Sequence, residues 1–442
     1  MTMDEPTIDG VTPDIRMRFS GWSRGAAITG IVGLVAAVAA ALVFGKAALV
    51  QSYLFAYLFW LGISLGCLSA MLLHQLVAGG WGYMIQRVAE AATRVLPFLA
   101  LAFAPILLAY RDLYPWADPN YLIAHPVVAE KTAYLNTSFF VLRAVIYFAI
   151  FIGLAAILNH WSRKLDLTGD AIYIVRLRRL GAIGLIFYVL AMTFASVDWG
   201  MSLEPEQFSS IYGAWFIVGQ GLLAIAFCTI IVSRLYRSAP YVGGFGCTED
   251  EQLCQMIPGC HGAPGCARPK YVEYFHHLGN LLLGFVVLWA YISFSQYLII
   301  WSGNLPEEIP YYINRTHGGY QALTVVLILF HFVVPFAVLL IRRSKRSIPP
   351  LVTLCGFMLL MRAVDLFWII IPAFRPGLLL GHLLIGACLL VGLGGIWMAL
   401  FFRELTKRPL LPVGDERMRA LQGHHDPAGT DTALPTEATE HA

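Results

Sequence analysis

The sequence predicts an all-α polytopic membrane protein with ten transmembrane helices, and three observations carry that prediction. Of 442 residues only 13% are charged and 58% are hydrophobic, against about 25% and about 45–50% in ordinary soluble domains. Mean hydropathy is +0.68. Charge-free apolar runs recur along the chain, and lysine and arginine are abundant in every second connection. A soluble chain of this length needs charged side chains over most of its outside, so the composition excludes a soluble enzyme, a disordered protein and a nucleic-acid binder. The net charge of +3 is too small to attract a polyanion.

Roughly 20 apolar residues at 1.5 Å each cross the hydrocarbon core. Ten stretches qualify: 25–45, 51–78, 95–110, 134–158, 179–198, 209–234, 278–302, 320–341, 350–372 and 378–403. The third is the weakest, being short and flanked by Arg94 and Arg111, and an interfacial position for it reduces the count to nine. The basic residues decide the matter. The N-tail holds three (Arg16, Arg18, Arg24), the alternate connections hold two, five, four and four, and the C-tail holds five, which places 23 on one side. The opposite side has Lys46, Arg111, Lys131, Arg315 and Arg375. This bias selects ten spans with both termini in the cytoplasm; nine would scramble it. The tails, 1–24 and 404–442, read as cytoplasmic. The first opens with Asp4, Glu5, Asp9 and Asp14 and lacks a cleavable signal pattern. The second is polar, rich in Pro, Thr and Ala, and reads as disordered.

An ionisable side chain inside a span is costly unless paired or wetted, so each is a functional candidate. They are His74, Arg143, Asp198, His331, Arg362, Asp365 and His382. Arg362 and Asp365 are three apart and share a helix face. They form either a structural pair or a polar relay in which Asp365 titrates. His331 precedes Pro335 by four residues, where a proline kinks the helix and opens space; the plain alternative, shared with His74, is a hydrogen bond to a neighbouring helix. Tyr291, Ser293, Ser295, Gln296, Tyr297 and Ser302 give span seven a polar stripe. The loops after spans five and seven are acidic, with Glu204 in the first and Glu307-Glu308 in the second. They can bind a positive surface or accept protons, or be ordinary solvated loop ends.

Of eight cysteines, Cys67, Cys228, Cys355 and Cys388 lie in spans. Cys247, Cys254, Cys260 and Cys266 lie in one cytoplasmic loop, 240–270. Their spacing fits neither the close pairs of structural zinc sites nor the runs of iron–sulfur sites, so they are weak metal candidates. No haem-attachment, Walker A or dinucleotide motif is present. The chain shows no redox centre of its own, and no residue is assigned a catalytic role.

Several motifs are long enough to carry a resemblance. SVDWGMSLEP (196–205) with FSSIYG (208–213), FVVLWAYISFSQY (285–297) with WSGNLPEE (301–308), and VDLFW (364–368) resemble the smaller of the two large membrane subunits of bacterial alternative complex III. YLFWLG (57–62), LHQL (73–76), GWG (80–82) and LYPW (113–116) add to the match, which covers roughly residues 50–403. The resemblance implies an NrfD-like, polysulfide-reductase-type subunit of the bacterial inner membrane. Its ten helices would form two four-helix bundles, 51–198 and 209–372, with flanking helices 25–45 and 378–403. The complex is a quinol:cytochrome c (or other periplasmic acceptor) oxidoreductase. Haem c and iron–sulfur clusters belong to its partners: multihaem cytochrome subunits, an iron–sulfur subunit and a larger paralogous membrane subunit. Besides membrane lipid, quinone or quinol is a ligand open to this chain; its other expected roles are to conduct protons or brace the assembly, and it is not catalytic alone. The residues for a quinone cavity or proton path are His74, Arg143, Asp198, Glu204, His331, Arg362 and Asp365. Gln75, Glu206-Gln207 and Arg362 depart from the family pattern, standing where histidine, His-Trp and histidine are expected. Two other readings stay open: the membrane anchor of a polysulfide- or formate-type reductase, and a secondary transporter.

Overall fold

The structure, a computed structural model, describes residues 13–236, 270–317, 319–374, 379–412 and 414–418. The four loop cysteines lie outside them. Ten helical segments are long and apolar enough to cross a membrane, and no strand occurs among the described residues. We label them α1 (Pro13–Phe44), α2 (Lys46–Val77), α3 (Gly80–Leu108), α4 (Thr137–Thr168), α5 (Ile172–Trp199), α6 (Tyr212–Leu235), α7 (Lys270–Gly303), α8 (Tyr320–Leu340), α9 (Ile348–Ile370) and α10 (Leu379–Leu405). Helices crossing in alternate directions leave two faces. The basic face carries the connections rich in Lys and Arg, and the acidic face carries segments 109–136, 204–211 and 304–319.

Burial sorts the helices. α2, α6 and α9 are mostly enclosed, whereas α1, α4, α5, α7 and α8 leave wide apolar faces uncovered. Leu42, Ile186 and Phe294 are 86%, 63% and 61% exposed. Water would not tolerate such contiguous apolar surface, but lipid does. The chain is therefore an all-α polytopic membrane protein. Hydrophobic force does not join helices in lipid, so close backbone approach must. It does so along α1 and α10: a Cβ on Gly33 would lie 2.7 Å from Gly392 N, and one on Gly30 would lie 2.7 Å from Ile396 N.

Two spans are irregular. α3 consists of three pieces, Gly80–Thr93, Leu96–Leu101 and Ala104–Leu108. Pro97 and Pro105 open the second and third, where a helix has no use for the missing N–H. The expected third span, 95–110, is thereby corrected: the helix starts at Gly80, and Arg87 and Glu90 lie buried in it. Hydropathy reads these charges as loop, yet they neutralise one another in place. Arg87 bonds Glu90 at 2.7 Å and Asp166 of α4 at 2.5 Å, and Ser162 donates to Glu90 at 2.6 Å. In α8, residues Leu327–Val333 form a π-helical stretch. Pro335 has no N–H to offer the carbonyl four residues back, that of His331, and the helix widens there.

Residues 406–412 and 414–418 pack against the helices, where the sequence predicts a disordered tail from residue 404; the remainder of that tail lies outside the described residues. Leu410, Leu411 and Met418 are buried. Arg408 pairs with Glu90 at 3.3 Å, and Arg417 donates to Gln75 at 3.3 Å. This segment closes the basic-face end of α2, α3 and α4.

Candidate functional site

Between α6, α7, α8 and α9 lies a cavity of about 670 Å³, walled by Trp215, Trp289, Trp368, Tyr312, Phe332 and Asp365 among others. Phe294 and Ile328 line it too and are 61% and 55% exposed. The cavity therefore reaches the apolar outside of the molecule between α7 and α8. Such a space, mostly apolar and rich in aromatic rings, with a few convergent polar groups, has the makeup of a small-molecule site.

Asp365 is its acidic wall residue and is fully buried. One carboxylate oxygen accepts from Arg362 and, at 3.0 Å, from the indole N–H of Trp289. The other has no partner among the described residues. Arg362 fits because its neighbour on α6 is glycine: a Cβ on Gly219 would collide with the guanidinium. Behind Trp289 stands His331 at the π-turn, ring against ring with centroids 4.0 Å apart. No side chain bonds either nitrogen of His331; the backbone of Met361 is the polar group beside the ring. The arrangement thus gathers three of the residues singled out in the sequence, His331, Arg362 and Asp365, around Trp289. It leaves one carboxylate oxygen without a partner at the cavity wall, with the His331 ring one layer back behind Trp289.

On the acidic side of the cavity is Arg315, which hydropathy assigns to an ordinary loop. It is 1% exposed. Its guanidinium donates to the carbonyls of Trp368 and Ile369 at 3.2 and 2.7 Å, capping the end of α9. It also pairs with Glu204 at 2.9 Å. Burial lowers the pKa of Arg315, but Glu204, joined by the Tyr311 and Tyr212 hydroxyls, more than offsets this, and the net direction is up. Glu204 is therefore held beside a permanent cation, and Asn314 donates to it at 3.2 Å.

The other expected residues lie apart from this cavity. Arg143 and Asp198 meet across α4 and α5 in a fork, at 2.7 and 2.8 Å, and Tyr147 donates to Asp198 at 2.8 Å. Every oxygen of that carboxylate is used, and Arg143 lies over the Tyr134 ring at 3.8 Å. This is a closed pair joining two helices. His74 sits at the basic-face end of α2, edge-on to Tyr83 at 4.5 Å, with no partner on either ring nitrogen. His382 bonds Gln51 at 2.8 Å and ties α10 to α2. Within the α7 stripe, Ser293 and Tyr297 line the cavity, Gln296 accepts from Ser209 at 2.5 Å, and Tyr291 is 66% exposed. No group of three metal-ligating side chains converges among the described residues. No protein-family profile and no curated protein matches the chain.

Proposed function

We propose that this chain is an integral subunit of a quinol-oxidising respiratory complex of the bacterial inner membrane, and that the cavity at Asp365 receives a quinol or quinone from the bilayer. The observation that carries the reading is the cavity itself. It is aromatic, reaches the lipid-facing surface, and holds a carboxylate with a free oxygen. A quinol ring stacks on indoles, its isoprenoid tail extends between α7 and α8, and its hydroxyl finds the unpartnered oxygen of Asp365. Oxidation of a quinol releases two electrons and two protons. Asp365 is placed at the cavity wall to receive the first proton, His331 behind Trp289 is a further titratable group, and Arg315–Glu204 leads from the cavity toward the acidic face, for which the basic-residue bias favours the periplasm. The electrons go to haem or iron–sulfur centres of partner subunits. The motifs resembling alternative complex III support the same reading.

Asp365→Asn in the intact complex tests it. The expected result is quinol:acceptor turnover reduced at least tenfold with the assembly intact, because the amide takes up no proton. Unchanged turnover, quinol affinity and proton release would contradict it. The interruptions in α3 and α8 favour a second reading, a secondary transporter, since such carriers build sites at broken helices. No residue of α3 lines the cavity, so this reading ranks lower. Uptake of a solute by proteoliposomes of the chain alone would reverse the order.

A further inference from the structure

A second pocket, of about 280 Å³, opens on the acidic face between segments 115–125, 203–207 and 307–314. Its chemistry is unlike that of the first. Glu204, Glu206 and Glu307 line it, and no lysine or arginine does. Glu204 is countered by Arg315, and Glu206 contacts His125 at 2.5 Å with the Lys131 ammonium donating to its main-chain carbonyl at 3.5 Å, while no ion pair to Glu307 occurs among the described residues. Gln207 lines the pocket and is 4% exposed, yet neither atom of its amide has a hydrogen-bond partner. The Tyr311 hydroxyl is likewise buried and unpartnered. A buried amide without partners costs free energy unless the pocket's occupant supplies them. The occupant must therefore both donate and accept hydrogen bonds, and must suit a negative wall. Anions are repelled. A bare metal ion lacks its three ligands among the described residues. The volume falls just below the range of about 300–1,000 Å³ typical of drug-sized ligands, which limits the occupant to a fragment or one side chain.

We propose that this pocket binds an organic cation with several N–H donors, a guanidinium or ammonium head. Glu206 and Glu307 face its charge, the Gln207 carbonyl accepts from it, and the Gln207 amide and Tyr311 hydroxyl donate to the polar group that follows. A free small amine or guanidine and an arginine or lysine side chain of a docking protein present the same chemistry. The site stands independently of the quinone reading.

Calorimetric titration of the full chain in detergent tests it, with N-acetyl-arginine amide as probe and N-acetyl-citrulline amide as its uncharged twin. The arginine compound is expected to bind saturably and at least tenfold more tightly than the citrulline compound. Gln207→Leu and Glu307→Gln are each expected to weaken it about five- to tenfold with unchanged melting temperature. Equal binding of the two compounds, binding of neither, or indifference to both substitutions overturns the proposal. Agmatine and a Gly-Arg-Gly peptide separate the sources: comparable affinity assigns a free cation, and a peptide preference above tenfold assigns a protein side chain.

Discussion

Buried ions in this molecule are either fully satisfied or left open, and the difference divides structure from chemistry. Asp198 spends both oxygens on Arg143 and Tyr147, whereas Asp365 keeps one oxygen free at a cavity wall. Removing one partner of a closed pair strands the other, at a cost of about 3–5 kcal/mol, while replacing both with apolar side chains is often neutral. Asp198→Leu alone is therefore expected to lower the detergent melting temperature sharply, and Arg143→Met with Asp198→Leu to restore much of it. A double variant no more stable than the single would contradict a structural pair. The sequence made Arg143 and Asp198 conspicuous, because charges stand out against apolar spans. It could not pair them, since 55 residues separate them. Arg362 and Asp365 were paired correctly because a helix brings residues three apart together. Arg315 escaped notice for a physical reason: hydropathy records where a charge sits in the chain, and its burial depends on Glu204 and the end of α9.

At the scale of elements, the count of ten helices was legible and the irregularities were only partly so. Pro335 announced the distortion in α8, but the π-turn around His331 needed coordinates. The start of α3 was hidden because Arg87 and Glu90 lower its hydropathy, although their partners, Asp166 and Arg408, cancel the charge. The packing of residues 406–412 and 414–418 was hidden in the same way, resting on Arg408, Arg417, Leu410, Leu411 and Met418 within a polar stretch. The seam of α1 and α10 can be tested alone. Leucine at Gly33 has no room against Gly392, so Gly33→Leu is expected to destabilise by about 1–3 kcal/mol and loosen α1. Melting temperature in detergent reads this; an unchanged value would show that α1 docks by other contacts.

Over the whole molecule, 13% charge and 58% apolar residues match helices that bare their apolar faces, and the Lys and Arg bias is the ground for proposing that the basic face is cytoplasmic. A green fluorescent reporter fused after Ala442 is accordingly expected to fluoresce, while alkaline phosphatase fused there stays inactive; the reverse would invert the topology. The Arg315–Glu204 pair then joins the two spaces, since Arg315 lines the cavity and Glu204 lines the acidic-face pocket. Everything proposed for the site depends on the cavity taking up a quinone. Three indoles, Trp215, Trp289 and Trp368, line it, so quenching of tryptophan fluorescence by ubiquinone and menaquinone analogues is its most direct measure. Saturable quenching is predicted, weakened at least tenfold in Ala290→Phe, which fills the cavity while leaving Asp365 in place. Linear, non-saturating quenching, or equal affinity in wild type and Ala290→Phe, would contradict it.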